Sequence, residues 1–168
     1  MESVTLGKTG ITVNKNGFGA LPIQRISDEE AVHLLRKAYE NGITFFDTAR
    51  AYSDSEHKLG LAFQGMWDKV YVASKTAAVT PEDFWKDLQT SLTTLGRDYL
   101  DLYQFHNPSF CPRPGDGSGL YECMLEAKEQ GKIRHIGITN HRLAVAEEAI
   151  NSGPNENLPV PFSHTCAQ

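Results

Sequence analysis

The sequence predicts an α/β fold in which helices cover a sheet of parallel strands. Short apolar runs alternate five times with stretches of helical periodicity along the 168 residues, and this alternation is typical of parallel sheets with right-handed crossovers. Three of the apolar runs end at a polar residue, namely Asp47, Lys75 and His106. These residues follow one another at intervals of about 30 positions, the length of one strand-plus-helix unit. The pattern fits either an open doubly wound sheet or part of a (β/α)8 barrel.

The motifs by which open sheets bind nucleotides are missing from the chain. No GxGxxG follows the first strand, and no GxxxxGK(S/T) is present. In both architectures ligands bind at the carboxyl ends of the strands, so the expected position of the site is the same for either one.

The N-terminal region begins with a predicted hairpin. Residues 3–7 and 11–15 are β-prone, and Gly10 between them can adopt the positive φ of a tight turn. Residues 17–23 then form a glycine-rich apolar run that we predict to be a strand. Glycines in a strand indicate either close approach by a ligand or tight packing alone.

Start and stop signals define the helices that follow. Ser27 and Glu30 form a capping box, Gly42 ends that first helix, and Thr80 with Pro81 opens the third. The later strands are predicted at 43–49, 70–75, 100–106 and 133–139. The later helices are predicted at about 55–66, 119–130 and 142–152, and the third helix carries an apolar stripe of Phe84, Leu88, Leu92 and Leu95. The predicted domain comprises residues 1–153, and an irregular tail comprises residues 154–168.

Composition excludes several classes of function. The formal net charge is −5, and hydrophobic and charged residues make up 40% and 22% of the chain, as in ordinary globular proteins. Because the chain has no basic stripe, nucleic acid is not an expected partner. No apolar run approaches the roughly 20 residues that would span a membrane, and the first residues do not resemble a signal peptide. A cytoplasmic protein is therefore expected.

Cysteine and histidine spacing predicts no metal site. The cysteines are odd in number and widely spaced, so a disulfide framework and a zinc site are both unexpected; they are Cys111, Cys123 and Cys166. The histidines other than His106 show no ligand spacing and are interpreted as structural or solvated: His33, His57, His135, His141 and His164.

Four polar side chains are expected to meet at one edge of the sheet. Asp47, Lys75 and His106 end parallel strands, and Tyr52 follows Asp47 by five positions. A lysine and an aspartate that face a partly dry interior require each other as partners. The ammonium of Lys75 would stabilise a phenolate and so make Tyr52 a usable proton donor. His106 could bind a carbonyl oxygen while Asp47 holds Lys75.

This arrangement suits the protonation of an oxygen while a hydride attacks the adjacent carbon. No side chain supplies a hydride, so a nicotinamide cofactor is implied. Lys75 could instead form a Schiff base in a lyase or one end of a structural ion pair. Tyr52 could be an amphipathic surface residue, and His106 a core histidine.

Four segments, in order along the chain, resemble the aldo-keto reductase family. Residues 45–60 carry Asp47-Thr48-Ala49, Tyr52, Glu56 and Leu59-Gly60 and are similar to the family signature; the later blocks are residues 74–76, 104–108 and 131–140. The resemblance implies a (β/α)8 barrel of the TIM-barrel type, truncated to about five βα units after an N-terminal β-hairpin. It also implies reduction of aldehydes and ketones, small-molecule carbonyl substrates, with NADPH.

The resemblance also implies the roles of individual residues. Tyr52 would donate the proton, and Lys75 and Asp47 would tune the acidity of its hydroxyl. His106 would orient the carbonyl. The cofactor-binding residues implied are Gly19, Ala20, Leu21, Asp47, Thr139 and Asn140. Asn140 also occupies a position where a residue that only caps the next helix would stand.

The chain departs from the family in its length. Barrels of this type have eight strands and about 250 residues, whereas five strands are predicted here. The absent units would supply a glutamine and an aromatic residue beside the nicotinamide and basic residues for the 2′-phosphate. Residues 158–164 look like the next strand read out of register, so we expect a frameshifted or prematurely stopped gene product, which sequencing of the locus would test.

An incomplete barrel would also expose strand edges and an apolar inner face. Such surfaces favour association with other chains. The alternative function is therefore a catalytically silent barrel fragment that self-associates through its open edges.

Overall fold

A computed structural model describes residues 2–151, so the predicted tail lies outside the described residues. The strands are β1 (Ser3–Thr5), β2 (Thr12–Asn14), β3 (Phe18–Gly19), β4 (Phe45–Asp47), β5 (Tyr71–Thr76), β6 (Leu100–His106) and β7 (Ile133–Thr139). The helices are α1 (Asp28–Glu40), α2 (Ser55–Phe63), α3 (Pro81–Leu95), α4 (Leu120–Glu129) and α5 (Leu143–Asn151). No helix within this range is both long and apolar enough to cross a bilayer.

The strand order distinguishes between the two architectures that the sequence allowed. Strands β3 to β7 pair in the order β3-β4-β5-β6-β7, and every pair is parallel. A doubly wound sheet reverses direction at a switch point, whereas this sheet advances one strand at a time, as a barrel does. The fold is thus α/β with the winding of a TIM barrel, and β1 and β2 form the predicted antiparallel hairpin.

The register places the carboxyl ends of the strands along one edge, which we call the rim. Asp47 pairs with Ala73, and His106 pairs with Thr139. Lys75 lies two residues after Ala73 on β5, on the same face of the strand, and pairs with Gln104. Side chains alternate between the two faces of a strand, so one face of these strands carries the polar residues of the rim and the other meets the helices.

The helix starts follow the predicted capping chemistry. The Ser27 hydroxyl accepts a hydrogen bond from the Glu30 backbone N–H, and the Glu30 carboxylate accepts one from Ser27 N–H, which completes the capping box. Thr80 caps α3 by accepting from Asp83 N–H, and Pro81 occupies its first position. These bonds satisfy donors that would otherwise lack a partner at a helix N-terminus.

The prediction of a strand over residues 17–23 is wrong for most of that range. Only Phe18–Gly19 is a strand, and Pro22–Arg25 forms a 3-10 turn. Pro22 has no N–H for a ladder and a fixed φ, so it suits the first position of a helical turn better than a strand. Leu21 already has helical dihedrals, with φ −57° and ψ −44°.

The hydrophobic core lies between the outer face of the sheet and the helices. Phe46 and Phe63 are fully buried, and their ring centroids lie 4.5 Å apart. Further along the sheet, Phe84 of α3 packs against Tyr103 of β6 at 5.7 Å. Because Phe46 faces the helices, its neighbours Phe45 and Asp47 face the inner side, where they line a cavity.

Gly60 allows α2 to approach α3, and Gly60→Ala is expected to destabilise the fold. A Cβ at this position would lie 2.8 Å from the Thr94 carbonyl oxygen and 3.1 Å from that of Leu95. Alanine gains roughly 1 kcal/mol of helix propensity, but overpacking against backbone costs about 1–3 kcal/mol. Because the Thr94 carbonyl oxygen is backbone and cannot easily move away, the cost should lie at the upper end of its range, and we expect the free energy of unfolding in urea to fall by about 1–2 kcal/mol.

The control for this substitution is Leu61→Ala, at an exposed position of the same helix. It should lower the free energy of unfolding less than Gly60→Ala does. A Gly60→Ala protein as stable as the unchanged chain would contradict the close approach of the two helices.

Candidate active site

The four predicted catalytic residues lie together in one cavity. The cavity has a volume of about 400 Å³ and runs along the inner face of the sheet, from the N-terminal hairpin to the rim. Asp47, Tyr52, Lys75 and His106 all line it. Residues that are separated by nearly sixty positions in the chain therefore share one solvent-accessible space.

Lys75 is held by two oxygen atoms. Its Nζ donates to Asp47 Oδ2 at 2.6 Å and to the Thr48 carbonyl oxygen at 2.7 Å. The Lys75 side chain is 4% exposed, whereas that of Asp47 is 31% exposed. A buried ammonium needs such partners because desolvation is costly for an unpaired charge. The pair therefore fixes a positive charge at the inner wall of the cavity.

Tyr52 lies between this positive charge and an imidazole. Lys75 Nζ is 4.9 Å from the centre of the Tyr52 ring. The ring of His106 lies edge-on to that of Tyr52, with the centroids 5.6 Å apart and an interplanar angle of 85°. The aromatic ring is half-buried and forms part of the cavity wall. The Tyr52 ring thus lies next to both the amine and the imidazole.

Burial and charge keep His106 neutral. Desolvation lowers the pKa of its imidazole below the ordinary value, and the Lys75 ammonium and His141 lower it further, while Asp47 raises it. A neutral imidazole carries one N–H donor and one acceptor nitrogen. His106 can therefore donate a hydrogen bond to a carbonyl oxygen at neutral pH without bringing a second positive charge beside Lys75.

The lowered pKa of His106 predicts a loss of stability in mild acid. In the unfolded chain His106 takes up a proton at about pH 6.5, while the folded chain resists protonation at that site. The unfolded state then binds more protons, so stability falls as the pH drops through about 6.5 and is fully present above it. We expect the urea midpoint to decrease between about pH 7 and about pH 5.5.

His106→Gln should reduce this pH dependence. His135, whose pKa is also lowered by burial, should continue to contribute part of it. His33→Gln serves as the control because His33 is exposed on α1. An equal pH dependence in the unchanged protein and in His106→Gln would contradict the proposed neutral state of His106.

The segment that carries Tyr52 is tied to the neighbouring strand and to α2. Thr48 N–H donates to the Ala73 carbonyl at 2.8 Å, and Arg50 N–H donates to the Lys75 carbonyl at 3.0 Å. The hydroxyls of Thr48 and Ser55 lie 2.9 Å apart in the buried interior. These bonds continue the β4–β5 pairing past the end of β4, and so they hold the tyrosine close to Lys75.

The residues that follow Tyr52 and His106 both have a left-handed backbone conformation. Ser53, directly after Tyr52, has φ 38°, and Asn107, directly after His106, has φ 53°. Positive φ is uncommon in residues other than glycine and is maintained only where the surroundings enforce it. The chain therefore turns sharply just after each side chain reaches the cavity.

A buried carboxylate lies behind the tyrosine segment. Glu56 is 1% exposed, and its Oε1 accepts hydrogen bonds from the hydroxyls of Ser74 and Ser91, each at 2.6 Å. Its Oε2 accepts a hydrogen bond from Arg50. Both carboxylate oxygens are thus satisfied, and together they connect the Tyr52 segment, β5 and α3.

Lys58 connects the loops that lead into α1 and α2. Its Nζ donates to the carbonyl oxygens of Ile23 at 3.1 Å and Ile26 at 2.8 Å, and to Asp54 Oδ2 at 2.7 Å. The Lys58 side chain is 2% exposed. All three N–H donors of the ammonium are used, so this lysine fastens two loops of the rim and has no proton to spare for chemistry.

The predicted cofactor-binding residues divide into two groups. Gly19, Thr139 and Asn140 line the cavity together with Asp47. Ala20 is fully buried, with its N–H bonded to the Asp47 carbonyl and its carbonyl accepting from the Ser55 hydroxyl. Leu21 is exposed and directly precedes the 3-10 turn. Ala20 and Leu21 are not among the residues that line the cavity.

Asn140 has both a structural role and free hydrogen-bonding capacity. Its Nδ2 donates to the Pro108 carbonyl at 2.7 Å, and its Oδ1 accepts from Arg142 N–H at 2.8 Å, just before α5. An amide group has two N–H donors and two acceptor lone pairs. One donor and one lone pair are therefore available for a ligand after the turn is satisfied.

Sequence reasoning missed two residues at the site. His141, interpreted as structural or solvated, is exposed and lines the cavity. Gln104 is fully buried, and its Nε2 donates to Asp47 Oδ1 at 3.2 Å. Gln104 precedes His106 by two positions and so shares its face of the strand, a signal that could have identified it.

No group of metal-binding side chains is present in residues 2–151. Cys111 and Cys123 are both buried and unpaired. Burial raises the pKa of both thiols, which favours the unreactive thiol form over the thiolate.

Comparisons with known proteins agree on one family. The sequence model of the aldo/keto reductase family matches residues 15–165. L-galactose dehydrogenase of Arabidopsis thaliana is 29% identical over 98% of this chain. Methylglyoxal reductase DkgB of Salmonella typhimurium is 33% identical over 88% of this chain. The chain covers 56% and 55% of these two proteins, so it spans about half the length of the curated relatives it matches.

Solved structures give the same result for the fold. An aldo-keto reductase from Klebsiella pneumoniae in complex with NADPH is similar with a TM-score of 0.76 and 26% identity. The similarity covers 89% of this chain and 54% of that chain.

Proposed function

Because this chain belongs to the aldo/keto reductase family of oxidoreductases, we propose that its site reduces the carbonyl group of an aldehyde or ketone to an alcohol. The cofactor proposed is NADPH, with which one structural relative was solved. The observation that carries the proposal is the contact of Tyr52 with both Lys75 and His106 at the wall of one cavity. A phenol held between an ammonium and a neutral imidazole is suited to give up its proton to a carbonyl oxygen.

The residues of the chain divide the proton chemistry among them. The His106 N–H binds and orients the carbonyl oxygen, and the Tyr52 hydroxyl transfers its proton to that oxygen as negative charge develops. The Lys75 ammonium stabilises the phenolate that remains, through the field of a charge 4.9 Å from the ring centre. Asp47 keeps the ammonium in place. A bound nicotinamide supplies the hydride that these groups cannot supply.

Several features of the cavity fit the nicotinamide end of such a cofactor. Asn140 retains one amide donor and one acceptor lone pair, which match a carboxamide. Thr139 is its neighbour in the cavity wall. A Cβ added at Gly19 would meet nothing within 4 Å, so backbone is accessible there to a flat ring. Asp47, Thr139 and Asn140 would hold the nicotinamide, with Gly19 beside it, and Ala20 and Leu21 would support the loop next to Gly19.

A cofactor titration tests this proposal. Isothermal calorimetry of the purified chain should detect binding of NADPH, and addition of a small aldehyde should then oxidise it, as followed by loss of NADPH absorbance. Methylglyoxal is a suitable first aldehyde because one relative carries the name methylglyoxal reductase. If the titration showed no heat of binding and no NADPH were oxidised, the proposal would be contradicted.

A catalytically silent, self-associating fragment is the second candidate. Within residues 2–151, β3 and β7 each pair with a strand on one side only, and α5 exposes Leu143 and Ile150 on one face. Unpaired strand edges and exposed apolar faces favour association. Size-exclusion chromatography with light scattering would show dimers or larger species if this candidate is correct. A monomer that oxidises NADPH would exclude it.

We propose the cytoplasm as the location of the protein. Both described cysteines are unpaired, which suits a reducing compartment.

A further inference from the structure

Gln104 is the buried polar side chain of the inner face for which the proposed chemistry has no role. It lies on β6, where it pairs with Lys75 of β5 on one side and Gly137 of β7 on the other. Its side chain is fully buried. Because polar groups are costly to bury without partners, the contacts of its amide indicate what the side chain does.

One end of the amide reaches across a strand to the catalytic carboxylate. Gln104 Nε2 donates to Asp47 Oδ1 at 3.2 Å, although Asp47 is on β4 and β5 lies between the two strands. The other end, Oε1, is buried and has no hydrogen-bond partner among the described residues. An apolar side chain of the same size would fill this space without leaving an acceptor unsatisfied. Packing alone therefore does not explain the amide.

The two oxygens of Asp47 have different partners. Oδ2 accepts from Lys75 Nζ at 2.6 Å, while Oδ1 accepts from Gln104. The Asp47 side chain is 31% exposed, so water could compete for a carboxylate that was free to rotate. A neutral donor on Oδ1 fixes the rotation of the carboxylate and, unlike a second cation, does not compete with Lys75 for its charge.

We propose that Gln104 is a positioning residue that orients Asp47 and thereby fixes the ammonium of Lys75 beside the ring of Tyr52. The proposal rests on the proposed function, because proton delivery by Tyr52 is the step that it affects. Gln104 touches neither substrate nor cofactor in this account. It acts through Asp47, which holds Lys75.

The test is Gln104→Met, which keeps the size and burial of the side chain and removes its donor. We expect kcat for aldehyde reduction to fall about ten- to a hundredfold, as for a small misplacement of a catalytic group, with the Kd for NADPH changed less than about twofold. Stability towards urea should be unchanged or increased, because Met leaves no orphaned acceptor.

A merely structural role for Gln104 predicts a different result, in which stability and kcat decrease together. Gln89→Met controls for the change of amide to thioether at an exposed position of α3 and should leave kcat unchanged. A Gln104→Met protein that keeps kcat within about twofold of the unchanged chain would overturn the proposal.

If the unchanged chain shows no turnover, that result counts against the proposed function alone. A second measurement still tests the role of Gln104 in that case. In protein labelled with ¹⁵N-lysine, the ammonium signal of Lys75, assigned with Lys75→Met, reports hydrogen exchange with water. Gln104→Met should speed this exchange about tenfold or more if Asp47 loses its orientation. Equal exchange in the two proteins would overturn the proposal.

Discussion

Tyr52→Phe is expected to lower kcat for carbonyl reduction by about 10²–10⁴-fold, the usual contribution of a positioned proton donor. The substitution removes one oxygen atom and leaves the aromatic ring against His106 and Lys75. The cavity wall and the ion pair of Asp47 with Lys75 should therefore persist. Binding of NADPH, measured by calorimetry, should change by less than about twofold because the phenol acts in the reaction step.

Tyr39→Phe is the matched control for this loss. Tyr39 lies on α1, where its ring packs against Phe63 on the helix side of the sheet, and it is not among the residues that line the cavity. It should retain the activity of the unchanged chain. Full activity in Tyr52→Phe would show that another group delivers the proton, and this mechanism would then be wrong.

Glu56→Ala is expected to lower the free energy of unfolding by about 3–5 kcal/mol, the cost of breaking a buried ion pair by removing one partner. The carboxylate is 1% exposed and accepts hydrogen bonds from Arg50, Ser74 and Ser91. Without it, a cation and two buried hydroxyls lose their acceptor. Domains are typically stable by only about 5–15 kcal/mol. A loss of this size would therefore increase the fraction of unfolded molecules under native conditions.

Urea denaturation measures this effect directly, and Glu129→Ala provides the control. Glu129 is exposed at the end of α4, so the same change in charge and size should alter stability by about 0.5 kcal/mol or less. If the two substitutions had equal effects, the buried network of Glu56 would not contribute to stability as proposed. Glu56→Gln should be intermediate, because the amide keeps one acceptor oxygen for the serine hydroxyls.

The convergence of the candidate catalytic residues could be predicted because it depends on regular geometry. Strand ends recur at the length of one strand-plus-helix unit, and side chains alternate with period two, so Asp47, Lys75 and His106 had to reach one edge of a parallel sheet. The capping box at Ser27 was predictable for a similar reason, because it involves residues only three positions apart. Local and periodic features of this kind do not require knowledge of tertiary packing.

The features that sequence reasoning missed depend on contacts between distant elements. The bond of Gln104 to Asp47 crosses an intervening strand, and a pattern of period two cannot show which inward residue will reach a partner. The strand predicted over residues 17–23 ended early because Pro22 favours a helical turn. The hydrogen bonds of Asn140 depend on the position of Pro108 in a long loop, which no periodicity specifies.

Transfer of isotope from cofactor to product tests the central claim most directly. The claim is that Asp47, Tyr52, Lys75 and His106 form a carbonyl-reducing site. The purified chain would be incubated with NADPH that carries deuterium at the transferable position and with a small aldehyde. The unchanged chain should yield an alcohol with deuterium on its former carbonyl carbon, and Tyr52→Phe should yield almost none. An alcohol without deuterium, or equal labelling by both proteins, would contradict the claim.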